Sequence, residues 1–404
     1  MKRLLVAVLA VAALSAAGLS ATASSSARTS DLQAALGRAL VADGIDPRRT
    51  AALAVDVRTG AIVFDKRARL ALRPASLEKL AVSFAALRLL GPKYRFRTEV
   101  VGVGKRDGSV WRGDLVLVGG GDPTLRVRDL GGLARRVRSR GIQRITGRVL
   151  GDERHFDSRR DAPGWKAGWA GLESRPLSAL SVAGVEQTDL NGAAQAAAAA
   201  FTAALERRGV SVAGAPHAGR APEGAVRLAK DVSEPLTAVV GHMNRESDNF
   251  YAELLLKELG ARMTGLGTSE AGAQVVLAEL RRSRVPVSGV RIADGSGLSV
   301  ENRLTPRALV AILRAGAEDP AIRDAFVTSL AVAGISGTLR DRLGTRPTRG
   351  QVIGKTGTTS AACSLAGFVR RRYVFAILQN GSPVPYWTAR AAQDRFVTVL
   401  TRAK

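Results

Sequence analysis

The chain has 404 residues, 60 basic side chains against 35 acidic ones, a formal net charge of +25 and a single cysteine. An apolar fraction of 46% with 24% charged residues excludes a disordered chain, and one cysteine excludes a disulfide scaffold. The length suits two or three domains, each able to bury a core.

Residues 1–23 read as a secretory signal. Lys2 and Arg3 precede the apolar run Leu4–Leu14, and Ala21-Thr22-Ala23 supplies small residues for cleavage. The expected address is outside the cytoplasm, associated with the cell wall. Past Leu19 no uncharged apolar run reaches the ~18 residues of a spanning helix, so none is expected. The mature chain would keep 58 basic and 35 acidic residues, a net charge of +23. Its arginines are scattered, with no run of five basic residues and no basic stripe interleaved with aromatics, which argues against nucleic acid. The charge fits either a compositional Arg bias or attraction to anionic wall polymers. Cys363 has no partner in the chain and reads as a buried thiol.

Ala51–Asp65 alternates around Arg58-Thr59-Gly60 as a hairpin does. Pro74 opens a helix to about Leu90. Strands over Phe96–Val103, Asp114–Val118 and Ile145–Leu150 flank a helix near Leu130–Arg140. Ala193–Arg208 reads as a helix closed by Gly209, and Pro235–Leu259 as one helical stretch. Val352–Thr356, Leu365–Arg370 and Tyr373–Gln379 read as strands. A basic amphipathic helix, Tyr386–Arg402, is expected to pack on them rather than on a membrane.

Several chemistries are unsupported. His155, His217 and His242 have no metal-ligand spacing, so no metal is expected, and nothing calls for a cofactor. There is no Gly-x-Ser-x-Gly elbow. Gly350–Thr356 imitates a phosphate loop but is one residue short.

Three motifs remain. Ser76-Leu77-Glu78-Lys79 puts an amine three residues after a hydroxyl at a helix start, on one face, where it can act as the base a serine nucleophile needs. Burial and nearby positive charge would lower the Lys79 pKa for that task. Ser247-Asp248-Asn249 offers a proton-passing hydroxyl and an amide able to fix both Lys79 and a substrate carbonyl. Lys355-Thr356-Gly357-Thr358 lies on a predicted strand. Its cation and hydroxyl can bind a carboxylate, and the Thr358 N–H can stabilise an oxyanion. Each motif alone has a bland reading as a cap, a turn or an edge strand; the ordered set does not.

With these motifs the chain resembles the class C low-molecular-mass penicillin-binding proteins, the D-Ala-D-Ala carboxypeptidase/endopeptidase family. The resemblance runs from about Ala51 to Pro383. It includes Gly120-Gly121-Asp122-Pro123-Thr124-Leu125, Ala162-Pro163-Gly164-Trp165, Asp294-Gly295-Ser296-Gly297-Leu298-Ser299 and Ala333–Leu339. It implies an α/β (α+β) serine β-lactamase/D,D-peptidase-like catalytic domain, with an antiparallel sheet and flanking helices. That domain would be split over 24–92 and 233–404 by one inserted mixed α/β domain, 93–232. The direct path from Leu180-Ser181 to the Ala-rich helix predicts that the nested third domain of many members is absent.

The resemblance also implies roles. Ser76 would be acylated with Lys79 as base, Ser247 and Asn249 would relay the proton and hold substrate, and Lys355 and Thr356 would bind the terminal D-Ala carboxylate. Peptidoglycan stem peptides would be the substrate and β-lactams acylating inhibitors. Val300 stands where many members have Arg, and Thr359 replaces an apolar residue, both at places resembling those that meet the stem side chain. Asp152 or Glu153 is the candidate acid for an ammonium there. A serine β-lactamase is the enzymatic alternative, disfavoured because no Glu-x-x-Leu-Asn lies between the second and third motifs. A silent wall-binding protein is the other.

Overall fold

Residues 30–187 and 189–403 are described by the computed structural model; the signal segment 1–23 lies outside them. A helix over 30–39 (α1) leads into the hairpin β1 (Thr50–Asp56) and β2 (Ile62–Lys66). A 3-10 turn, Ala75–Leu77, runs into α2 (Glu78–Leu89). The chain then forms β3 (Arg97–Asp107), β4 (Val110–Gly119), α3 (Val127–Ser139), β5 (Arg144–Ile145), β6 (Val149–Asp152), the kinked turn α4 (Trp169–Leu172) and α5 (Ala193–Glu206). Next come β7 (Ser211–Val212), β8 (His217–Ala218) and β9 (Val226–Val232). Helices α6 (Leu236–Glu246), α7 (Asn249–Thr264), α8 (Ser269–Arg282), α9 (Pro306–Glu318) and α10 (Arg323–Thr328) precede β10 (Ala331–Val332). The chain ends with β11 (Val352–Thr359), β12 (Ala362–Val369), β13 (Tyr373–Asn380) and α11 (Tyr386–Arg402).

The chain's first and last strands meet in one antiparallel sheet, in the order β10-β11-β12-β13-β1-β2. β1, β12 and β13 are buried along their whole length, because helices cover both faces. On one face α1 and α11 close over Phe64, Phe375 and Ile377. On the other, α2 and α6–α10 pack on Leu53, Phe368 and Leu378. Every side chain of α2 from Glu78 to Leu87 is buried, as befits a helix surrounded by others. The sheet between helical layers is the fold class read from the sequence.

Residues 97–232 supply a second sheet, β7-β5-β4-β3-β9, with β6 and β8 joined through β4. Helices α3 and α5 pack on it through Leu130, Leu133, Ala197 and Phe201. Its β3–β4 hairpin is longer than the alternating segments suggest. The expected strand Ile145–Leu150 is two short strands, interrupted where Gly147 approaches the Gly113 backbone and the Asp114 carboxylate.

Two further elements depart from expectation. The stretch Pro235–Leu259 is broken: Ser247 ends α6 in the left-handed region (φ 61°), and Asp248 caps α7 by accepting the Tyr251 N–H. At Pro74 a 3-10 turn, not an α-helical one, holds Ser76. Helix α11 packs on the sheet as expected, burying Ala389, Phe396, Val397 and Leu400. Cys363 is buried, with its sulfur 3.4 Å from the Gln393 amide nitrogen. No described helix is long and apolar enough to cross a membrane.

Phe396 packs edge-on against Phe64 at 5.2 Å between centroids, with Phe375 at 6.5 Å. Phe396→Ala should cost about 3–5 kcal/mol, and Trp387→Ala, at a residue 74% exposed, within about 0.5 kcal/mol. Urea unfolding of the two variants against the wild type checks both figures.

Candidate active site

The nucleophile candidate sits on a turn held from three sides. The Arg73 N–H donates to Asn380 Oδ1 at 2.8 Å, and Asn380 Nδ2 returns a bond to the Arg73 carbonyl at 3.0 Å. Ser364 Oγ donates to the Pro74 carbonyl at 2.7 Å. Ala75 then adopts φ 48°, a left-handed conformation that disfavours a side chain. Two glycines let neighbouring backbones close on the turn. A side chain on Gly297 would come within 1.9 Å of the Ala75 carbonyl oxygen, and one on Gly357 within 2.8 Å of the Pro74 carbonyl oxygen. Ser76 emerges half-buried from this turn.

Lys79, one turn on, is fully buried. Its Nζ lies 3.1 Å from Ser76 Oγ, 2.8 Å from Asn249 Oδ1 and 2.7 Å from the Ser296 carbonyl oxygen. Two of these partners only accept, whereas the serine hydroxyl can also donate. A neutral amine can therefore give its two N–H groups to Asn249 and Ser296 and aim its lone pair at the Ser76 proton. Burial pushes the amine down to about 8, against the opposing pull of Asp294, Glu253, Asp248 and Glu78. The expected contribution of neighbouring positive charge is not what lowers it; desolvation is.

Lys355 is also fully buried, and its Nζ donates to Ser247 Oγ and to the Thr356 carbonyl, both at 2.8 Å. Burial first, and then the charge of Lys79, hold it well below the usual lysine range. The Thr356 hydroxyl meets that of Thr338 at 2.8 Å. β10 covers β11 only at Ile353 and Gly354, so the edge from Lys355 onward has no strand neighbour there. The Gly357 carbonyl faces β12, where Ser364 Oγ meets it at 3.3 Å. In a trans peptide the next N–H points the opposite way, so Thr358 N–H faces the open edge beside Ser76.

The structure thus joins Ser76, Lys79 and Asn249 by hydrogen bonds and Ser247 to Lys355, with the Lys355–Thr358 edge packed beside the Ser76 turn. It does not bring Asp152 into that group. Asp152 is buried on β6 in the second sheet, opposite Val118. Its carboxylate accepts from Arg154 Nε and Nη2 and from the Ala221 N–H, and these bonds hold it below the usual carboxylate range against its burial. Its donors are already supplied, so it stands as a fold-stabilising acid rather than a free partner for an ammonium. Glu153 is likewise occupied, by Arg160 and Ser178.

The sequence reading gave no role to the acids under Lys79. Glu253 on α7 accepts from the Gly295 and Ser296 N–H groups. Asp294 accepts from Gly297, Ser299, Asn302 and the Trp165 indole. Together they shape the loop that offers the Ser296 carbonyl to Lys79. Glu78 is fully buried, with no hydrogen-bond partner for either carboxylate oxygen among the described residues; burial, then Asp294 and Glu253, raise its pKa well above the usual carboxylate range, with Lys79 opposing. Asn249 Nδ2 donates to the Glu173 carbonyl at 2.8 Å, so the segment around Trp165–Glu173 reaches the site. Val300 and Thr359 line a small hollow with Lys166 and Trp169 beside Ala75.

A serine hydroxyl against a buried amine, beside the open edge of an antiparallel sheet between helical layers, defines a Ser–Lys acyl-transferring hydrolase. The chain belongs to the D-Ala-D-Ala carboxypeptidase 3 (S13) family, whose model matches residues 32–185 and 186–403, and is a serine-type D-Ala-D-Ala carboxypeptidase. It is 34% identical over 375 residues to carboxypeptidase DacB of Mycolicibacterium smegmatis, covering 85% of this chain and 78% of that protein. It is 29% identical over 465 aligned positions to the D-alanyl-D-alanine carboxypeptidase of an Actinomadura species, covering 93% and 85%. Penicillin-binding protein 4 of Haemophilus influenzae has the same fold, with a TM-score of 0.79 at 23% identity over 92% of this chain and 98% of that one.

A base with a pKa of about 8 leaves a signature. Only neutral Lys79 can take the serine proton, and its fraction falls about tenfold per pH unit below that value. The second-order rate of Ser76 acylation by benzylpenicillin should therefore rise with pH, bend near pH 8 and flatten above it. A stopped-flow profile that is level from pH 6 to 9 would exclude Lys79 as the base.

Proposed function

We propose that the protein is a secreted D,D-carboxypeptidase and D,D-endopeptidase that works on peptidoglycan stem peptides through an acyl-enzyme at Ser76. The observation that supports this most directly is the buried Lys79 amine, 3.1 Å from Ser76 Oγ with two pure acceptors on its other sides. Ser76 Oγ attacks the carbonyl carbon of the penultimate D-Ala while its proton passes to Lys79. The N–H groups of Ser76 and Thr358 take the developing oxyanion. The C–N bond breaks, and the leaving amine receives the proton through Ser247, which lies 2.8 Å from Lys355. Asn249 orients Lys79 and the substrate, and Lys355 with Thr356 holds the terminal carboxylate. Water then hydrolyses the ester by the reverse proton path. Endopeptidase action needs only that the leaving amine belong to a cross-linked neighbour instead of free D-Ala. A β-lactam acylates Ser76 but keeps its leaving group tethered, so it departs slowly.

The catalytic domain in this reading is 24–92 with 233–404, and 93–232 is the insert. The 465-position alignment with the Actinomadura enzyme is longer than this whole chain, which supports the absence of a nested third domain here. The segment 1–23 supports export to the wall, where the positive mature charge favours anionic polymers.

Incubation of the mature protein with a fluorescent penicillin, followed by peptide mass spectrometry, should place a stable adduct on Ser76. Ser76→Ala should abolish it, and Lys79→Ala should slow its formation by about 10²–10⁴-fold. Rapid turnover without an adduct would favour a β-lactamase, and no reaction would favour a silent wall binder.

A further inference from the structure

The chain crosses twice between its two sheets, over Lys93–Arg97 on the way out and Val232–Leu236 on the way back. The crossings run side by side. The Phe96 N–H donates to Ser233 Oγ at 3.0 Å, the Ser233 N–H to the Phe96 carbonyl at 3.1 Å, and the Leu236 N–H to the Tyr94 carbonyl at 2.8 Å. Phe96 is buried, so Arg95 and Arg97 on either side of it face outward, about 7 Å apart along an extended chain. On β9 the exposed Lys230 stands two residues from Val232, the partner of Arg97, and faces the same way. With Lys93 and with Arg262 of α7, these side chains line a cavity of about 350 Å³.

Five cations line this cavity, and no carboxylate does. Lys93, Arg97 and Lys230 make no side-chain hydrogen bond or ion pair among the described residues, and Arg95 Nη1 donates only to the Ser233 carbonyl. Of the five, Arg262 alone has an acid partner, the fully buried Glu258 at 2.7 Å. The other acids nearby are engaged outside the cavity. Glu99, opposite Lys230 in the ladder, pairs with Arg227 at 3.4 Å, and Asp231 with Arg136 at 3.2 Å. Each exposed cation by itself holds a lone anion weakly, so five around one hollow favour a ligand that repeats its charge. A phosphodiester keeps its charge throughout the physiological pH range and accepts from both ammonium and guanidinium groups. A three-carbon bridge between two phosphates spans a distance comparable to that between Arg95 and Arg97. A flat bilayer surface cannot follow the wall of a concave site, whereas a single polymer strand can enter it.

We propose that this cavity is a docking site for a phosphodiester-linked anionic polymer of the cell wall. It lies past the C-terminal end of α2, whose 12 residues put about 18 Å between it and the Ser76 turn, so a bound strand leaves the cleft free. The inference rests on the export reading above and is independent of the acyl-enzyme.

The test measures binding of end-labelled polyglycerol phosphate to the purified mature protein by fluorescence anisotropy. Lys93→Gln, Arg97→Gln and Lys230→Gln are combined in one variant. A control variant combines Arg38→Gln, Arg281→Gln and Arg307→Gln, which removes the same charge from exposed positions elsewhere. The first variant should bind at least about 10-fold more weakly and the control within about 2-fold of wild type, with wild-type binding weakened in about 0.5 M salt. Both variants should acylate with benzylpenicillin at the wild-type rate, which shows that they are folded. No binding by the wild type would overturn the site. An equal loss in the two variants would overturn it too, assigning the attraction to the charge of the whole molecule. Poly-L-glutamate of matched charge number bound as tightly as the phosphate polymer would overturn the phosphodiester assignment. Binding to phosphatidylglycerol vesicles that the first variant loses, with polymer binding kept, would replace the polymer by a membrane surface. Failure of export would show separately, as absence of the full chain's product from the wall fraction, while the binding assay reads the site itself.

Discussion

The rest of the site is arranged around one constraint: the Lys79 amine has no water to turn to. A buried amine must find protein partners for its hydrogen atoms or lose its charge, and here both conditions are met in part. One partner, Ser76, is on its own turn, and two come from distant stretches of chain: Asn249 at the start of α7 and the Ser296 carbonyl in the loop before α9. Those stretches meet only when α2 is enclosed by α6–α9 against the sheet. The fully buried helix is thus the means by which an ordinary lysine is pushed down to about 8, as the proposed role of base requires.

The turn that carries Ser76, the proposed nucleophile, needs a different support, because Ala75 holds a backbone conformation costing about 1–3 kcal/mol by itself. Asn380 on β13, Ser364 on β12 and the glycines at 297 and 357 oppose its relaxation. The same Gly357 that permits this contact also lays β11 beside Ser76, so that strain, packing and the proposed oxyanion donors share one piece of backbone. Two buried lysines in such a crevice would repel one another if both were charged. Desolvation of each, with Glu253 and Asp294 beneath Lys79, lets the pair coexist in a protein whose overall charge is strongly positive.

The Trp165–Glu173 segment enters this arrangement from the chain between the two halves of the antiparallel sheet. The Trp165 indole donates to Asp294, and the Glu173 carbonyl accepts from Asn249. A chain segment remote from the nucleophile therefore fixes both a loop beneath Lys79 and the amide beside it. That coupling ties the Trp165–Glu173 segment to the surroundings of Lys79, whereas α3 and α5 pack around a second core.

Spacing in the sequence reveals contacts along one element, and this decides what was legible. Ser76 and Lys79 are separated by one helical turn, so their meeting was foreseeable; so were the strands β11–β13 and the packing face of α11. The break at Ser247 was hidden because apolar residues continue at helical spacing across it, while the left-handed turn that aims its hydroxyl at Lys355 depends on tertiary packing. Asp152 looked like an available acid because its neutralisation by Arg154 and by a backbone N–H 69 residues away leaves no local pattern beyond an ordinary charged pair. Glu253 and Asp294 carried no role in the sequence reading. Their role emerges only when burial removes the solvent around them, since a carboxylate that shapes a loop and one that merely solubilises a surface are the same letter in the chain.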